Sequence, residues 1–144
     1  MKYEKNPLQV QPYLMFDGRC EEAIEFYRKA LGAEVQALIR FKDSPDAASC
    51  ANGHGDKVMH TCLRIGDTAV MASDGQCAGK PGFQGFSLSM TAADDAEARR
   101  RFTALADGGQ VQMPLSKTFF ASSFGVVADR FGVSWMIVAN PAAA

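Results

Sequence analysis

The sequence predicts an α+β fold built from two βαβββ modules, and a repeated order of elements supports that prediction. Residues 12–35 read in order as a strand, a turn, an amphipathic helix and a glycine stop. A similar order returns about 74 residues later at 86–111, so that Leu14 corresponds to Leu88. Further short apolar runs typical of strands follow each helix. Such a repeat indicates two copies of one supersecondary unit, each too small to bury its own apolar face.

The first strand is predicted at residues 10–16, where the side chains alternate in character. One face of this strand takes Val10, Leu14 and Phe16, and the other face takes Tyr13 and Met15. Asp17-Gly18 then forms a turn.

The first helix is predicted at residues 20–31 and ends at Gly32, because glycine is the usual residue just past a helix C-terminus. The inward side of this helix carries Ala23, Ile24, Tyr27, Ala30 and Leu31. A strand follows at 34–41, and residues 43–56 have no apolar period and many helix and strand breakers, which predicts a long loop. A hairpin completes the first module, with strands at 58–65 and 68–73 around a Gly66-Asp67 turn.

A glycine-rich connection, residues 74–85, precedes the second module. The helix of this module is predicted at 94–106, with Asp94 as its N-cap and Glu97 completing a capping box. Strands are predicted at 86–91, near 110–113, at 118–128 and at 133–139, with a turn at 129–132 in the last hairpin. The whole chain, residues 1–144, is thus expected to form a single domain of two modules, at 8–74 and 83–140.

Composition excludes several classes of function. The chain has 144 residues and a net charge of −1, so no basic surface for nucleic acid is predicted. No apolar run reaches the length of a membrane span, and residues 1–10 hold no apolar signal core. The four cysteines, at positions 20, 50, 62 and 77, form no C-x-x-C pair. We therefore expect reduced thiols and a cytoplasmic protein with neither a nucleic-acid nor a membrane partner.

Three segments are similar to a known family: PYLMFDGRCEEAIEFYRKALGAEV at 12–35, HTCLRIGDTAVMASD at 60–74 and FGVVADRFGVSWMI at 124–137. On these segments the chain resembles the PhnB-like branch of the vicinal oxygen chelate superfamily, the glyoxalase/bleomycin resistance/dioxygenase group. This branch is often labelled a demethylubiquinone methyltransferase-type domain. The resemblance implies a curved mixed sheet that forms a cup for a small molecule, and it implies a homodimer.

The resemblance also allows a prediction of whether the protein binds a metal ion. Metal-dependent members bind one divalent ion through four His, Gln or Glu side chains, from the first and last strands of each module. The matching positions here fall near Gln11, at Met71 or Ala72, at Gly85 and at Met136. Divalent ions of this kind prefer nitrogen and oxygen donors, and one Gln cannot hold such an ion. We predict no metal and no cofactor.

Polar and aromatic side chains near the predicted cup are the candidates for ligand binding, because small-molecule pockets are mostly apolar with a few polar groups. The candidates are His60, Arg64, Asp74, Phe120, Ser122, Phe124, Trp135 and Met136. His60 could act as a general base or ligand, or be a hydrogen-bonded strand histidine. Zinc donors also occur at Cys50, His54, His60 and Cys62, but their spacing matches no short zinc motif.

Two hypotheses follow from the sequence. The first is a metal-free protein that binds a small molecule in the cup. The second is an enzyme of the same superfamily, of lyase, isomerase or dioxygenase type, with an atypical metal site or none. The sequence leaves open whether the protein is an enzyme, and it does not identify the ligand.

Overall fold

The computed structural model describes residues 7–44, 54–75 and 80–142. These residues contain two α-helices and eight strands. The elements in chain order are β1 Tyr13–Met15, α1 Cys20–Leu31, β2 Glu34–Arg40, β3 Val58–Ile65, β4 Thr68–Ser73, β5 Leu88–Ala92, α2 Asp95–Ala106, β6 Gln110–Ser116, β7 Ala121–Ala128 and β8 Ser134–Pro141.

The strands form two four-stranded mixed sheets with the same topology. The first sheet has the order β1-β4-β3-β2 and the second has the order β5-β8-β7-β6. In each sheet the first strand of the module runs parallel to the last, and the other neighbours are antiparallel. The prediction of an α+β fold with two βαβββ repeats is therefore confirmed.

Each helix is buried on one side, as its apolar spacing predicts. The five residues predicted to face inward on α1 are all buried, and so are Leu63 and Val70 on the first sheet. In the second module, Phe102 of α2 lies so close to Gly125 of β7 that a Cβ there would meet its ring. Gly32 ends α1 in the left-handed conformation, at φ 68°, as expected.

The two modules are joined by a buried polar network around Asp129, in the turn between β7 and β8. One carboxylate oxygen of Asp129 accepts hydrogen bonds from the Tyr27 hydroxyl of α1 and from the Trp135 indole N–H, at 2.9 Å for the indole. The other oxygen accepts from the backbone N–H groups of Phe131 and Val133. Burial, reinforced by the charge of Asp129, raises the pKa of the Tyr27 hydroxyl well above its usual value, so this hydroxyl stays a donor.

Several predicted boundaries were wrong. Strand β1 begins at Tyr13, not at residue 10, and Val10 is 93% exposed instead of facing inward. Pro12 explains the late start, because proline has no N–H to continue a ladder. Strand β6 runs on to Ser116, past the predicted end at 113, whereas β7 begins at Ala121, later than predicted.

Asp94 caps α2 as predicted, accepting a hydrogen bond from the Glu97 N–H at 2.8 Å. The side chain of Glu97 reaches the N–H of Ala93, one residue before the N-cap, at 2.8 Å. The predicted capping box therefore differs in its second hydrogen bond, which Glu97 accepts from Ala93 and not from the N-cap residue, Asp94.

Some predictions fall outside the described residues. These are most of the loop at 43–56, including Cys50, and part of the connection at 74–85, including Cys77. Across the described ranges, neither helix is long and apolar enough to cross a membrane.

Candidate functional site

Each sheet has one face packed on its helix and one face without a helix. In the first sheet, buried Leu14, Thr61 and Leu63 alternate with residues that point the opposite way. The residues on this opposite side, which we call the first open face, are Tyr13, Met15, His60, Cys62 and Met71. Met15 is 50% exposed, so this surface is apolar and accessible in the single chain.

One polar pair stands on the first open face. The Tyr13 hydroxyl lies 2.8 Å from Nδ1 of His60, and the two ring centroids are 5.6 Å apart. Partial burial, with a smaller contribution from Cys20, raises the pKa of the Tyr13 hydroxyl, so the phenol is neutral at neutral pH. The hydrogen bond fixes the imidazole ring and leaves its Nε2 as the atom available to a ligand.

The second sheet has a matching uncovered side, which we call the second open face: Phe124, Val126, Met136 and Val138. Phe120 lies at its end, with its ring centroid 5.1 Å from that of Phe124. Met136 is 37% exposed. The second open face therefore presents aromatic and thioether groups and no charged side chain among these residues.

Ser122 is tied into a local network at the edge of the second sheet. Its hydroxyl lies 2.6 Å from Oδ1 of Asp95, which also accepts from Ser123, and it receives a hydrogen bond from Asn140 at 2.9 Å. The two serine hydroxyls lower the pKa of Asp95. Ser122 thus holds β7 to the start of α2, and its hydroxyl is already engaged.

Two predicted site residues lie away from both open faces. Asp74 is fully buried and accepts from the backbone N–H groups of Gly18, Cys20 and Val58 at 2.7 to 2.8 Å. These bonds occupy both carboxylate oxygens and fix the start of α1 against β3. Trp135 packs on the helix side of the second sheet with its indole N–H on Asp129.

Arg64 lies at the exposed end of β3 and forms an ion pair with Glu34 at 2.6 Å. The structure therefore places His60, Phe124 and Met136 on the open faces, with Phe120 beside them, and it separates Asp74 and Trp135 from that group. Sequence reasoning did not include Tyr13, Cys62 or Met71 among the ligand-binding candidates, and it considered Cys62 and Met71 only for a metal. The period-two alternation of the strands, which puts Tyr13 on the side opposite Leu14, was the signal that could have identified these residues.

A separate cleft of about 480 Å³ lies between the modules. Its lining includes Leu31, Val70, Leu88 and Arg101. The Arg101 guanidinium donates to the carbonyl of Ala30 at 3.2 Å, which ties α2 to the end of α1. Ser89 and Thr91 of β5 also line this cleft, and they pair with Met136 and Val138, so the cleft borders the second open face.

The residues that the resemblance sets at the metal positions of metal-dependent superfamily members do not fit a divalent ion. Met71 and Met136 offer thioethers, and Gly85 offers no side chain. Among residues 7–44, 54–75 and 80–142, no group of three or more His, Cys, Asp or Glu side chains is placed to hold a metal.

Comparison with known proteins places these features in a family. Residues 8–138 match the family described as 3-demethylubiquinone-9 3-methyltransferase. Protein YjdN of Escherichia coli is 36% identical over 138 residues, which is 90% of this chain and 94% of YjdN. Protein PA1353 of Pseudomonas aeruginosa is 44% identical, with a TM-score of 0.82, over 93% of this chain and 98% of PA1353.

Two further structures define the fold. A PhnB protein from Bacillus cereus is 26% identical, with a TM-score of 0.76, over 92% of this chain and 99% of that protein. A glyoxalase-related enzyme from Fulvimarina pelagi is 18% identical with a TM-score of 0.61, over 93% of this chain and 89% of the enzyme, and shows the shared fold alone. The matched residues, the repeated βαβββ topology and these likenesses agree: the chain belongs to the 3-demethylubiquinone-9 3-methyltransferase family, the PhnB-like branch of the vicinal oxygen chelate superfamily.

Proposed function

We propose that the protein binds an uncharged, largely apolar small molecule on its open sheet faces without a metal ion. The observation that supports this most is the character of the faces. Tyr13, Met15 and Met136 are between 37% and 50% exposed, although side chains of this kind gain by leaving water. Apolar and aromatic walls with one oriented polar group, here His60, are usual for a small-molecule site.

We also propose a homodimer, because no helix or strand within residues 7–44, 54–75 and 80–142 covers either open face. Under two-fold symmetry, the first open face of one subunit can lie opposite the second open face of its partner, which forms two equivalent cups. The ligand would then contact both subunits. Sedimentation at micromolar concentration should give twice the chain mass of 15.5 kDa, and a stable monomer would count against the dimer.

A ligand screen tests the proposed function. Uncharged aromatic compounds are added to the protein in excess EDTA, and the melting temperature is recorded. A ligand that binds the native state raises the melting temperature in proportion to its occupancy. We expect stabilising compounds in the presence of the chelator. If stabilisation occurs only when a divalent metal is supplied, the metal-free proposal is wrong.

A superfamily enzyme is the second candidate, and the Tyr13–His60 pair is the observation that favours it. A histidine oriented by a 2.8 Å hydrogen bond has one ring nitrogen free for proton transfer. Metal analysis of protein purified without chelator or affinity tag separates the two candidates. One stoichiometric divalent ion, lost in His60→Ala, would favour the enzyme.

Methyl transfer, which the family description names, is not supported by the site. Methyl transfer from S-adenosylmethionine normally goes with a doubly wound parallel sheet and a glycine-rich first loop. Here the loop before α1 is Asp17-Gly18-Arg19, and the amides of Gly18 and Cys20 are already bonded to Asp74. The residues present do not fit that cofactor.

A cytoplasmic location is part of the proposal. Cys20 and Cys62 are free thiols, and free thiols persist in a reducing compartment.

A further inference from the structure

A cluster of sulfur and nitrogen groups lies on the first open face and shares His60 with the ligand site proposed above. Cys62 of β3 lies directly opposite Met71 of β4 in the antiparallel ladder. Side chains paired in this way have Cβ atoms about 4.5–5.5 Å apart. His60 precedes Cys62 by two residues on the same strand, so its ring points to the same side of the sheet. One thiol, one thioether and one imidazole therefore share a patch two strands wide.

The imidazole of this patch is held in place by Tyr13. The Tyr13 oxygen lies 2.8 Å from Nδ1 of His60, and Tyr13 is itself paired with Met71 on the parallel side of β4. When Nδ1–H donates to the Tyr13 oxygen, the Nε2 lone pair is free for a metal. Histidine ligands in proteins usually have such a partner on the second nitrogen, which fixes the tautomer and the ring orientation.

The donor set decides which ion fits. Thiolate and thioether sulfur select soft ions such as Cu(I), whereas Mg²⁺, Ca²⁺ and Mn²⁺ require oxygen donors. None of the five residues named for the first open face carries a carboxylate, and Cys62 and Met71 are both partly exposed. We propose that His60, Cys62 and Met71 bind one Cu(I) ion. The Cys62 thiol releases its proton to solvent as the copper–sulfur bond forms, and copper stays monovalent throughout.

The experiment begins from a double variant, Cys50→Ser/Cys77→Ser, so that neither of these two further thiols can bind Cu(I) in place of Cys62. Cys20 remains, but it is fully buried, and burial together with the charge of Asp74 raises the pKa of its thiol. Cu(I) is added without oxygen as its acetonitrile complex, with bicinchoninate as competitor. Native mass spectrometry should then show one Cu(I) per chain.

Substitutions in that background assign the ligands. Cys62→Ser and Cys62→Ala should each abolish the bound copper, and two different variants guard against a folding defect. Met71→Leu keeps the side-chain volume and should weaken binding by at least about tenfold, as loss of a metal-site partner does. Met136→Leu, on the second open face, is the matched control and should bind as the background does. The proposal is wrong if the background binds no Cu(I), or if the folded Cys62 variants keep their copper.

Discussion

Removing the Tyr27 hydroxyl should weaken the contact between the two modules and so lower the free energy of unfolding. Asp129 is 3% exposed and accepts four hydrogen bonds, and Tyr27 supplies the only one of them that comes from the first module. A hydrogen bond to a charged group contributes about 1.5–3 kcal/mol. Tyr27→Phe should therefore lower the free energy of unfolding by about 2 kcal/mol, which corresponds to a fall of roughly 6 °C in melting temperature.

The larger change at the same place is Asp129→Ala. It leaves four buried donors without their acceptor, at a cost of about 1–3 kcal/mol for each unsatisfied group. We expect a loss of at least about 4 kcal/mol, twice that of Tyr27→Phe or more. The two substitutions together should cost little more than Asp129→Ala alone, because residues in one network are not additive.

Urea denaturation at fixed protein concentration measures both variants, since association would shift the apparent stability. Trp135 is the single tryptophan of the chain, so its fluorescence follows unfolding, and far-UV circular dichroism provides an independent signal. Tyr13→Phe is the matched control, because its hydroxyl makes its hydrogen bond to His60 at the surface of the protein. If Tyr27→Phe lowers the free energy of unfolding no more than Tyr13→Phe does, the conclusion that Asp129 links the two modules is incorrect.

Three further predictions concern close packing, pH and metals. Gly109→Ala should lower the free energy of unfolding by about 1–3 kcal/mol, since its Cβ would overlap the carbonyl of Ala128, whereas Gly82→Ala, which meets nothing, should be neutral in urea denaturation. The lowered pKa of Asp95 stabilises the fold above the ordinary aspartate pKa, and this contribution is lost as pH falls through the lowered value. The melting-temperature difference between wild type and Ser122→Ala should therefore shrink on acidification, and a constant difference would contradict it. Divalent zinc, nickel, iron or manganese at about 100 micromolar should leave the melting temperature unchanged, and a rise of several degrees that His60→Ala abolishes would contradict this.

Much of the fold could be predicted because the helices carry a strong local signal. The period of Ala23, Ile24 and Tyr27 places one side of α1 inward, and Gly32 ends the helix. Strand ends were harder to predict, because they depend on which neighbouring strand supplies hydrogen bonds. The first strand has an apolar residue at position 10, yet pairing with β4 begins only at Tyr13.

The candidate site was less predictable for the same reason. His60 is a plain strand histidine in the sequence, and its partner Tyr13 lies 47 residues away on a strand two places across the sheet. Asp129 has the sequence context of a turn residue, and only the packing of α1 against the second module gives it Tyr27. Asp74 directly follows a strand, which is a usual position for a site residue, but its carboxylate accepts hydrogen bonds from three backbone amides and is not available to a ligand.

The central claim is that the open faces bind an uncharged ligand without metal, and titration with a neutral fluorescent probe tests it most directly. In excess EDTA, 1-N-phenylnaphthylamine should bind wild type saturably. Met15→Lys and Met136→Lys each place a charge on one open face and should weaken binding by at least about tenfold, since burying a charge is costly. Leu8→Lys, at an apolar residue that is 94% exposed outside both faces, is the control and should bind as wild type. Unsaturable binding, or equal affinity in all four proteins, would contradict the account.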